Sequence, residues 1–304
     1  MLPMVRMVFL LGVDGGGTGC RARLADLTGQ VRGEGSAGPA NIRLGLKESF
    51  AAVLEATDQC LSQAGLSQGD VDIVACLALA GASEPKDLAA ARAYKHPFLR
   101  AVFTTDAHAA CVGAHGGRDG GVIVVGTGSV GWAIIEGREH RVGGWGFPVS
   151  DEGSGAWLGC EAARRVLWAH DGRIPWSGLL ETLYERFSCD PHTIVRWMGT
   201  ARPRDFAGLA PLILDYGARD DAAACELLRL AAGHIDVTGE RLSELGISRL
   251  ALVGGIAQGI EPWLAPATKK LLVPAEGDAL TGALRLARRE AEAARLTPTR
   301  ASMR

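Results

Sequence analysis

The chain has 304 residues, of which 47% are hydrophobic and 22% are charged, and its formal net charge at pH 7 is −2. A chain of this length and composition is expected to fold as a globular protein with two lobes rather than around one core. The small net charge gives no electrostatic reason to expect nucleic acid or an anionic membrane as a partner, and no segment approaches the roughly 18 consecutive apolar residues of a membrane span.

The first third of the chain is predicted to combine strands with one long helix. The apolar run Met7–Val13 predicts a buried strand, because it is too short for a signal peptide and no cleavage site follows it. RARLADLTG, which turns at Thr28-Gly29, predicts a hairpin partner, and QVRGEGSAG predicts a third strand. Helical spacing of apolar residues predicts a helix over Leu46–Ala64. Two further strands are predicted, a buried parallel strand from the apolar run VDIVACLALAG and a second strand from AVFTTD. A helix is expected after Asp106.

The remainder of the chain repeats this plan once and then becomes mostly helical. GGVIVVGTGSVGWAIIEG has the same order of strand, Gly/Thr turn and second strand as the N-terminal segment roughly 110 residues earlier, which predicts two related lobes. A glycine-rich loop (Gly143–Gly155), a helix to about His170 and further helices to Leu245 are expected next. SRLALVGGIA predicts a late strand, and Asp278 is expected to cap a final helix.

The seven cysteines are widely spaced and include no CxxC pair, and the seven histidines show no metal-binding spacing. This pattern predicts neither a zinc site nor a dithiol redox centre. Reduced thiols without a disulfide framework predict a cytoplasmic protein.

The segment Asp14-Gly15-Gly16-Gly17-Thr18 closes the first predicted strand. Three consecutive glycines lose much backbone entropy on folding, so their presence indicates that something must approach the bare backbone closely. The N–H groups of such a turn can surround a phosphate, and Asp14 at the strand end could hold Mg²⁺ through water. A glycine-rich turn that binds nothing is the alternative.

Two further glycine turns follow predicted strands in the second half of the chain. Gly126, Gly128 and Gly131 match the dinucleotide fingerprint, but the β-rich segment WAIIEG follows where that fingerprint requires a helix. We therefore expect a hairpin whose glycines and Thr127 contact phosphates, and no Walker A loop, because no lysine follows a glycine. The pair Gly254-Gly255 could lie against a base or ribose, or could form a plain strand-to-helix turn.

Two stretches carry carboxylates that suit a sugar substrate. Asp106 follows a predicted strand, where it could accept a proton from a substrate hydroxyl or cap the next helix. In GGWGFPVSDEGSG, glycines flank Trp145 and Asp151 follows, so an aromatic face and a carboxylate are available to one sugar ring. Alternatively, Asp151 or Ser150 caps the helix that is expected to start near Gly153.

Taken in chain order, these motifs resemble those of the sugar kinase, heat-shock protein and actin superfamily. Asp14–Thr18 resembles phosphate motif one, Gly126–Ser129 resembles phosphate motif two, and Val253–Gly255 resembles the adenosine motif. GVDGGGTGCRA, ANIRLG, TTDAHAAC, GTGS, GGWGFPVSDEGSG and GDALTGAL are together similar to the N-acetylglucosamine kinase and BadF-type ATPase family. Within that family Phe147–Ala156 resembles the bacterial glucosamine kinases, and the resemblance covers nearly the whole chain.

The resemblance implies an α/β fold, namely the two-lobed, actin-like ATPase fold of the ribonuclease H-like type, with a mixed sheet flanked by helices in each lobe. It implies an N-terminal lobe of residues 1–105, on which the C-terminal helix at about 285–297 packs, and a C-terminal lobe of residues 106–284. Members of the family commonly form dimers, which makes a homodimer an option.

The resemblance also implies an ATP-dependent kinase that phosphorylates the 6-hydroxyl of an amino sugar, in the first place D-glucosamine, with ATP and Mg²⁺ as cofactors. Asp106 would take the proton from that hydroxyl, and Asp14 would lie on the metal side. The implied sugar ligands are Asn41, Asp106, Gly144, Trp145, Gly146 and Asp151. The implied ATP ligands are Gly15, Gly16, Gly17, Thr18, Gly126, Thr127, Gly128, Ser129, Gly254, Gly255 and Ala279.

Three alternatives stay open at this stage. An N-acetylglucosamine kinase would use the same machinery on an acetylated sugar. A BadF-type ATPase would couple hydrolysis to a conformational or redox change in a partner, although neither Cys111 nor Cys160 lies in a recognisable cluster-binding setting. A sugar sensor without catalysis is the third alternative, and the presence of Asp106 together with the phosphate turns argues against it.

Overall fold

The computed structural model describes residues 6–82 and 84–296 of the chain, except for the side chain of Leu44. The described residues form two compact units. Unit 1 contains the residues up to Arg118 together with those from Ala275 onward, and unit 2 contains Asp119–Pro274. The expected boundaries at residues 105/106 and 284/285 therefore both fall inside unit 1, because the helix Asp106–Ala114, which follows the first point, packs there against the helix Ala279–Ala293, which contains the second.

Unit 1 is built around a five-stranded sheet of order β3-β2-β1-β4-β5. The first three strands form an antiparallel meander, whereas β4 runs parallel to β1 and β5 runs parallel to β4. All the strands predicted for this part of the chain are thereby confirmed. The strands are β1 (Met7–Gly15), β2 (Cys20–Asp26), β3 (Val31–Ala37), β4 (Val71–Leu79) and β5 (Arg100–Thr104).

Helices cover both faces of this sheet, and alternate residues of β1 serve the two faces. Leu11 belongs to the same core as Phe50 of the first helix, and Leu10 belongs to a second core with Ala283 of the last helix. Burial on both faces explains why β1 and β4 are continuous apolar runs. The predicted helix over Leu46–Ala64 and the final helix capped by Asp278 are confirmed. The helices of unit 1 are α1 (Leu46–Gln63), α2 (Pro85–Ala93), α3 (Asp106–Ala114) and α12 (Ala279–Ala293), with a 3₁₀ turn at Ile42–Leu44.

Unit 2 contains a four-stranded sheet of order β8-β7-β6-β9, with β6 (Gly120–Val125), β7 (Ser129–Ile135), β8 (Arg138–Val142) and β9 (Leu250–Val253). Again three strands form an antiparallel meander and a later strand runs parallel to the first of them. The internal repeat predicted from the sequence is therefore confirmed. The sequence analysis missed β8, because this edge strand is polar and has no buried residue.

The remaining residues of unit 2 are mostly helical, as expected. Ile123 of β6 lies in one core with Leu158 of α4 (Gly155–His170) and Ile235 of α9 (Ala222–Glu244), so these two helices pack against the sheet. Among the described residues, no helix combines the length and the apolar composition that crossing a membrane requires. The helices are α4 (Gly155–His170), α5 (Gly178–Arg186), α6 (Pro191–Thr200), α7 (Pro203–Ala207), α8 (Ala210–Gly217), α9 (Ala222–Glu244), α10 (Ala257–Ile260) and α11 (Pro266–Leu271), with a 3₁₀ turn at Glu261–Trp263.

Candidate functional site

The first glycine turn, Gly15–Gly19, joins β1 to β2 and is held by its carbonyl groups. The Ala80 N–H donates to Gly15 O at 2.7 Å, and the Ala40 N–H donates to Gly16 O at 3.1 Å. The Gly16 N–H closes the turn by donating to Gly19 O at 2.8 Å. The N–H groups of Gly17 and Thr18 have no hydrogen-bond partner in the part of the chain that the structure describes, so they are available to an anion.

Asn41 lies beside this turn. Its Oδ1 accepts from the Arg43 N–H at 3.0 Å and begins the 3₁₀ turn. A Cβ added to Gly17 would lie 3.9 Å from Asn41 Nδ2, and one added to Gly81 would overlap Asn41 Oδ1. The structure thus brings the expected sugar ligand Asn41 next to the first glycine turn.

Asp106 lies at the same edge of the sheet as Asp14. Strand pairing aligns Asp14 of β1 with Ala78 of β4, and Ala78 with Thr104 of β5, two residues before Asp106. Neighbouring strands lie about 4.8 Å apart, so the Cα atoms of Asp14 and Thr104 are about 10 Å apart. The carboxyl ends of parallel strands are where α/β proteins place their ligands.

Thr105, and not Asp106, caps α3. The Thr105 hydroxyl accepts from the His108 N–H at 3.1 Å, while Asp106 is the first residue of the helix. Asp106 Oδ1 accepts from the Ala107 N–H at 2.9 Å. The alternative in which Asp106 serves as the helix cap is therefore wrong.

Asp14 forms an ion pair across the first hairpin. Arg21, its register partner on β2, donates from Nη2 to Asp14 Oδ2 at 2.6 Å. Arg21 Nη1 also lies 4.0 Å from Asp278 Oδ2. The sequence analysis did not single out Arg21, although a short turn after Asp14 fixes which residue of β2 faces it.

The donor set around Asp14 fits a Mg²⁺ ion that arrives with a nucleotide. The described residues contain no group of three His, Cys, Asp or Glu side chains that could hold a metal. Mg²⁺ in nucleotide sites is bound by one or two carboxylates, phosphate oxygens and water, which requires no such group. Asp14 Oδ1 accepts no hydrogen bond from the described residues, and Asp14 lies one residue before the first glycine turn.

The second glycine turn, Gly126–Ser129, joins β6 to β7 and packs against the start of α4. The Gly155 N–H donates to Gly126 O at 2.8 Å, and the Ala156 N–H donates to Thr127 O at 3.1 Å. The N–H groups of Thr127 and Gly128 have no partner within the described ranges.

In the peptide groups Gly126–Thr127 and Thr127–Gly128, the carbonyl is therefore hydrogen-bonded and the N–H is available to a ligand. In a trans peptide the C=O and the N–H point in opposite directions. The peptides Gly126–Thr127 and Thr127–Gly128 place their carbonyls toward α4 and their N–H groups away from it. An anion bound to these N–H groups would be linked through the two peptides to the positive end of α4.

Ser154 caps α4, accepting from the Trp157 N–H at 3.2 Å through its Oγ. The alternative in which Asp151 or Ser150 caps this helix is therefore wrong, and the helix begins at Gly155, two residues after the expected start near Gly153. The Asp151 side chain instead accepts a hydrogen bond from the backbone of the preceding loop.

The glycine pair Gly254-Gly255 lies beside the second turn. A Cβ on Gly254 would overlap Val125 O, so a bare backbone lets the end of β9 approach β6, and the Ile256 N–H donates to Val125 O at 3.2 Å. The pair leads into α10, so a strand-to-helix turn describes its local geometry. Ala279, the first residue of α12, lies in unit 1, whereas the implied division assigned it to the lobe that contains the glycine pair.

The loop Gly143–Ser150 carries most of the expected sugar ligands of unit 2. Arg141 of β8 donates from Nε to Gly143 O at 2.9 Å and from Nη2 to Gly144 O. The Arg141 guanidinium carbon lies 4.2 Å from the centroid of the Trp145 ring, and Trp145 is 69% exposed. No local sequence pattern indicates this contact, so the sequence analysis missed Arg141.

Asp151 closes the other end of this loop. Its Oδ1 accepts from the Gly146 N–H at 3.1 Å, and its backbone has a φ of 66°, which is uncommon for a residue with a side chain. Burial raises the pKa of the Asp151 carboxyl above its usual value, although hydrogen bonds from the backbone of Gly146 and Phe147 oppose this effect. The half-buried carboxylate is therefore hydrogen-bonded to the backbone of the loop whose end it holds.

Comparisons with known proteins agree with this geometry. The model of the BadF/BadG/BcrA/BcrD ATPase family matches residues 11–280. The chain is 39% identical over 282 residues to the glucosamine kinase GspK of Vibrio cholerae. The aligned residues make up 92% of this chain and 96% of the kinase. It is 31% identical over 176 residues to an N-acetylmuramic acid/N-acetylglucosamine kinase of Clostridium acetobutylicum, which covers 55% of this chain and 56% of that one.

Solved structures with the same fold include sugar kinases. A Chromobacterium violaceum protein provisionally named as an N-acetylglucosamine kinase matches with a TM-score of 0.86 and 36% identity, over 94% of this chain and all of that one. A ROK family glucokinase from Streptomyces griseus matches with a TM-score of 0.54 and 18% identity, over 92% and 99% of the two chains, which shows the fold alone. The actin-like α/β fold is thereby confirmed, and the chain belongs to the BadF/BadG/BcrA/BcrD ATPase family.

Proposed function

We propose that the protein transfers the γ-phosphoryl group of ATP to the 6-hydroxyl of D-glucosamine. The observation that carries the proposal is the row formed by Asp14, the first phosphate turn and Asp106 at one edge of the sheet in unit 1. The identity of 39% with a glucosamine kinase, over nearly the full length of both chains, supports this substrate.

In the proposed reaction, Asp106 accepts the proton of the 6-hydroxyl while the hydroxyl oxygen attacks the γ-phosphorus. The bond from that phosphorus to the bridging oxygen breaks, and ADP leaves. The N–H groups of Gly17, Thr18, Thr127 and Gly128 donate to phosphate oxygens and offset their charge. Mg²⁺ bound with ATP would neutralise further phosphate charge, with Asp14 as the residue that holds it through water.

The remaining proposed contacts divide between sugar and nucleoside. Asn41, Asp151 and the loop segment Gly144–Gly146 would bind the sugar hydroxyls and cover the ring. Ser129 and the glycines of both turns would border the phosphates. The glycine pair Gly254-Gly255 and Ala279 would border the nucleoside.

N-acetylglucosamine is the second candidate substrate. The Clostridium acetobutylicum relative and the Chromobacterium violaceum structure favour it, because both carry that sugar in their names. The two sugars differ only at the 2-position, where one has an ammonium group and the other an amide with a methyl group. A redox-coupling ATPase has less support, because Cys111 is buried in α3 and Cys160 is half-buried in α4, in different units.

A coupled assay of ADP release tests the proposal across glucosamine, N-acetylglucosamine, glucose and mannosamine. We expect glucosamine to give the largest kcat/KM, and phosphorus NMR of the product to show phosphate on the 6-oxygen. A preference for N-acetylglucosamine would select the second candidate. ADP release that no sugar accelerates would overturn both and favour a coupling ATPase.

A further inference from the structure

The second glycine turn is hydrogen-bonded to the chain segment that follows the loop Gly143–Ser150, which we call the sugar loop. All of these residues lie in unit 2. Besides the two hydrogen bonds from the start of α4, Ser129 Oγ donates to Glu152 O at 2.7 Å. A Cβ on Gly128 would overlap Asp151 Oδ2, so this glycine and the carboxylate are in direct contact. We call these contacts between Gly126–Ser129 and Asp151–Ala156 the clasp.

Asp151 is the residue at which the clasp meets the sugar loop. One side of its carboxylate lies against Gly128 of the turn, and the other side accepts from the Gly146 N–H of the loop. Its φ of 66° shows that the surrounding contacts outweigh the preference of an aspartate for other conformations. A single side chain therefore contacts both the phosphate turn and the segment that carries Trp145.

The sugar loop is exposed around Trp145, but the Phe147 ring packs against the buried Phe206, with ring centroids 5.2 Å apart. Trp145 and Val149 are 69% and 87% exposed. Behind the loop lies a cavity of about 240 Å³, bordered by Ser129, Gly144 and Glu152 and by His234 of α9. Arg141 holds the loop at its start, Phe147 holds it in its middle, and Asp151 links its end to the second glycine turn.

We propose that Asp151 is a positioning residue that couples phosphate binding at the second turn to the position of Trp145. The proposal rests on the proposed function, which assigns ATP to the turn and the sugar to the loop. A phosphate at the N–H of Gly128 displaces the neighbouring Asp151 side chain by contact, and the hydrogen bond from the Gly146 N–H to Asp151 Oδ1 carries this displacement to Trp145. The loop then takes its sugar-binding position only when ATP is present. This order favours transfer of the phosphoryl group to the sugar over its transfer to water.

Three variants separate this coupling from a purely structural role. Asp151→Gly removes the carboxylate without strain, because glycine accepts the positive φ. Asp151→Asn keeps an oxygen that accepts from the Gly146 N–H. Gly128→Ala keeps the carboxylate but displaces it from the turn, and so tests the clasp should Asp151→Gly fold poorly. Ser150→Ala is the matched control, since among the described residues its hydroxyl hydrogen-bonds to Glu152 Oε2 alone, at 3.2 Å.

The measurement is the tryptophan fluorescence change on titration with a non-hydrolysable ATP analogue and Mg²⁺, without sugar, and Trp145→Phe defines the contribution of Trp145. We expect Asp151→Gly to bind the analogue, because the donors are backbone groups, but to lose the Trp145 response by about fivefold or more. The response of Gly128→Ala is compared at an analogue concentration that saturates this variant, and we expect the same loss. Asp151→Asn should restore most of the response, and Ser150→Ala should match the wild type. A full response in Asp151→Gly and Gly128→Ala, or no rescue by Asp151→Asn, would overturn the proposal.

The assay distinguishes this inference from the proposed function. A wild-type protein whose Trp145 responds to the analogue through Asp151, but which phosphorylates no sugar, would overturn the proposed function and leave the coupling intact. A wild-type protein that phosphorylates glucosamine while Asp151→Gly keeps the full response would overturn the coupling and leave the function intact.

Discussion

At the scale of single residues, Asp106 shows how a neighbour determines which role a carboxylate can have. An aspartate at the end of a strand can cap the next helix or act on a ligand, and the sequence around Asp106 allows both. Because Thr105 takes the cap, the Asp106 carboxylate is not needed to begin α3. Its position in line with Asp14 is the reason why we propose it as the proton acceptor.

Replacing Asp106 by asparagine keeps the shape and removes the proton acceptor. We expect kcat to fall by roughly 10²–10⁴-fold while glucosamine binding, measured by calorimetry, changes little. Asp87→Asn provides a matched control, because Asp87 lies in the first turn of α2 in the same unit. Near-normal turnover in Asp106→Asn would remove Asp106 from the proposed mechanism.

Asp14 and Arg21 allow a second test at this scale. Asp14→Ala should raise the Mg²⁺ concentration needed for half-maximal activity at least several-fold and leave sugar binding unchanged, because a carboxylate that orients the metal is lost. Arg21→Ala breaks the same 2.6 Å ion pair but keeps the carboxylate, so it should not raise the Mg²⁺ requirement. Equal effects of the two variants would show that only the ion pair matters.

The sequence made part of this site predictable. Gly15–Thr18 and Gly126–Ser129 could be proposed from the sequence because closely spaced glycines expose backbone whatever the fold around them. The contacts of Asp151 with Gly128 and of Arg141 with Trp145 could not be found, because they depend on how the loop folds back onto the sheet. The register of the first hairpin is an intermediate case, since a short turn would have indicated Arg21 opposite Asp14.

At the scale of elements, burial decided which strands could be predicted. β1 and β4 have helices on both faces and are continuous apolar runs, and both were predicted. β8 is an edge strand of sequence REHRV, which has neither an apolar run nor a clear alternation, and it was missed. Short helices such as α10, with four residues, have too little sequence for a periodic pattern.

The crossing of α12 over α3 requires a glycine. A Cβ on Gly282 would overlap Ala109 O, so Gly282→Ala should destabilise unit 1 by about 1–3 kcal/mol through overpacking. Gly233→Ala is the matched control in another helix interior, where an added Cβ meets nothing within 4 Å and should stabilise by about 0.4–1 kcal/mol. Urea unfolding followed by circular dichroism measures both. A Gly282→Ala variant as stable as the wild type would show that the two helices separate readily.

At the scale of the whole molecule, the two sheets share one strand plan although their sequences share little beyond a Gly/Thr turn. Unit 1 extends past the expected boundary to Arg118, and the chain returns to this unit from Ala275 onward. The boundary could not be placed from sequence, because it depends on α3 packing against a helix more than 150 residues later.

The cysteines provide a test of the folded chain as a whole. Burial raises the pKa of Cys20 and of Cys76 to about 12 and that of Cys60 to about 11, so these thiols stay protonated at pH 8. Cys111 and Cys225 are buried as well, whereas Cys189 is exposed and Cys160 is half-buried. We expect a thiol reagent at pH 8 to react quickly with one thiol, slowly with a second, and with all seven in denaturant. Three or more fast thiols would contradict the described packing.

The central claim is that the protein moves a phosphoryl group from ATP to an amino sugar. The most direct test is the ratio of ADP formed to glucosamine 6-phosphate formed during turnover with saturating glucosamine. We predict a ratio close to one, with ADP release at least about a hundredfold slower when the sugar is omitted. ADP that accumulates at the same rate with and without the sugar, and without sugar phosphate, would contradict the claim.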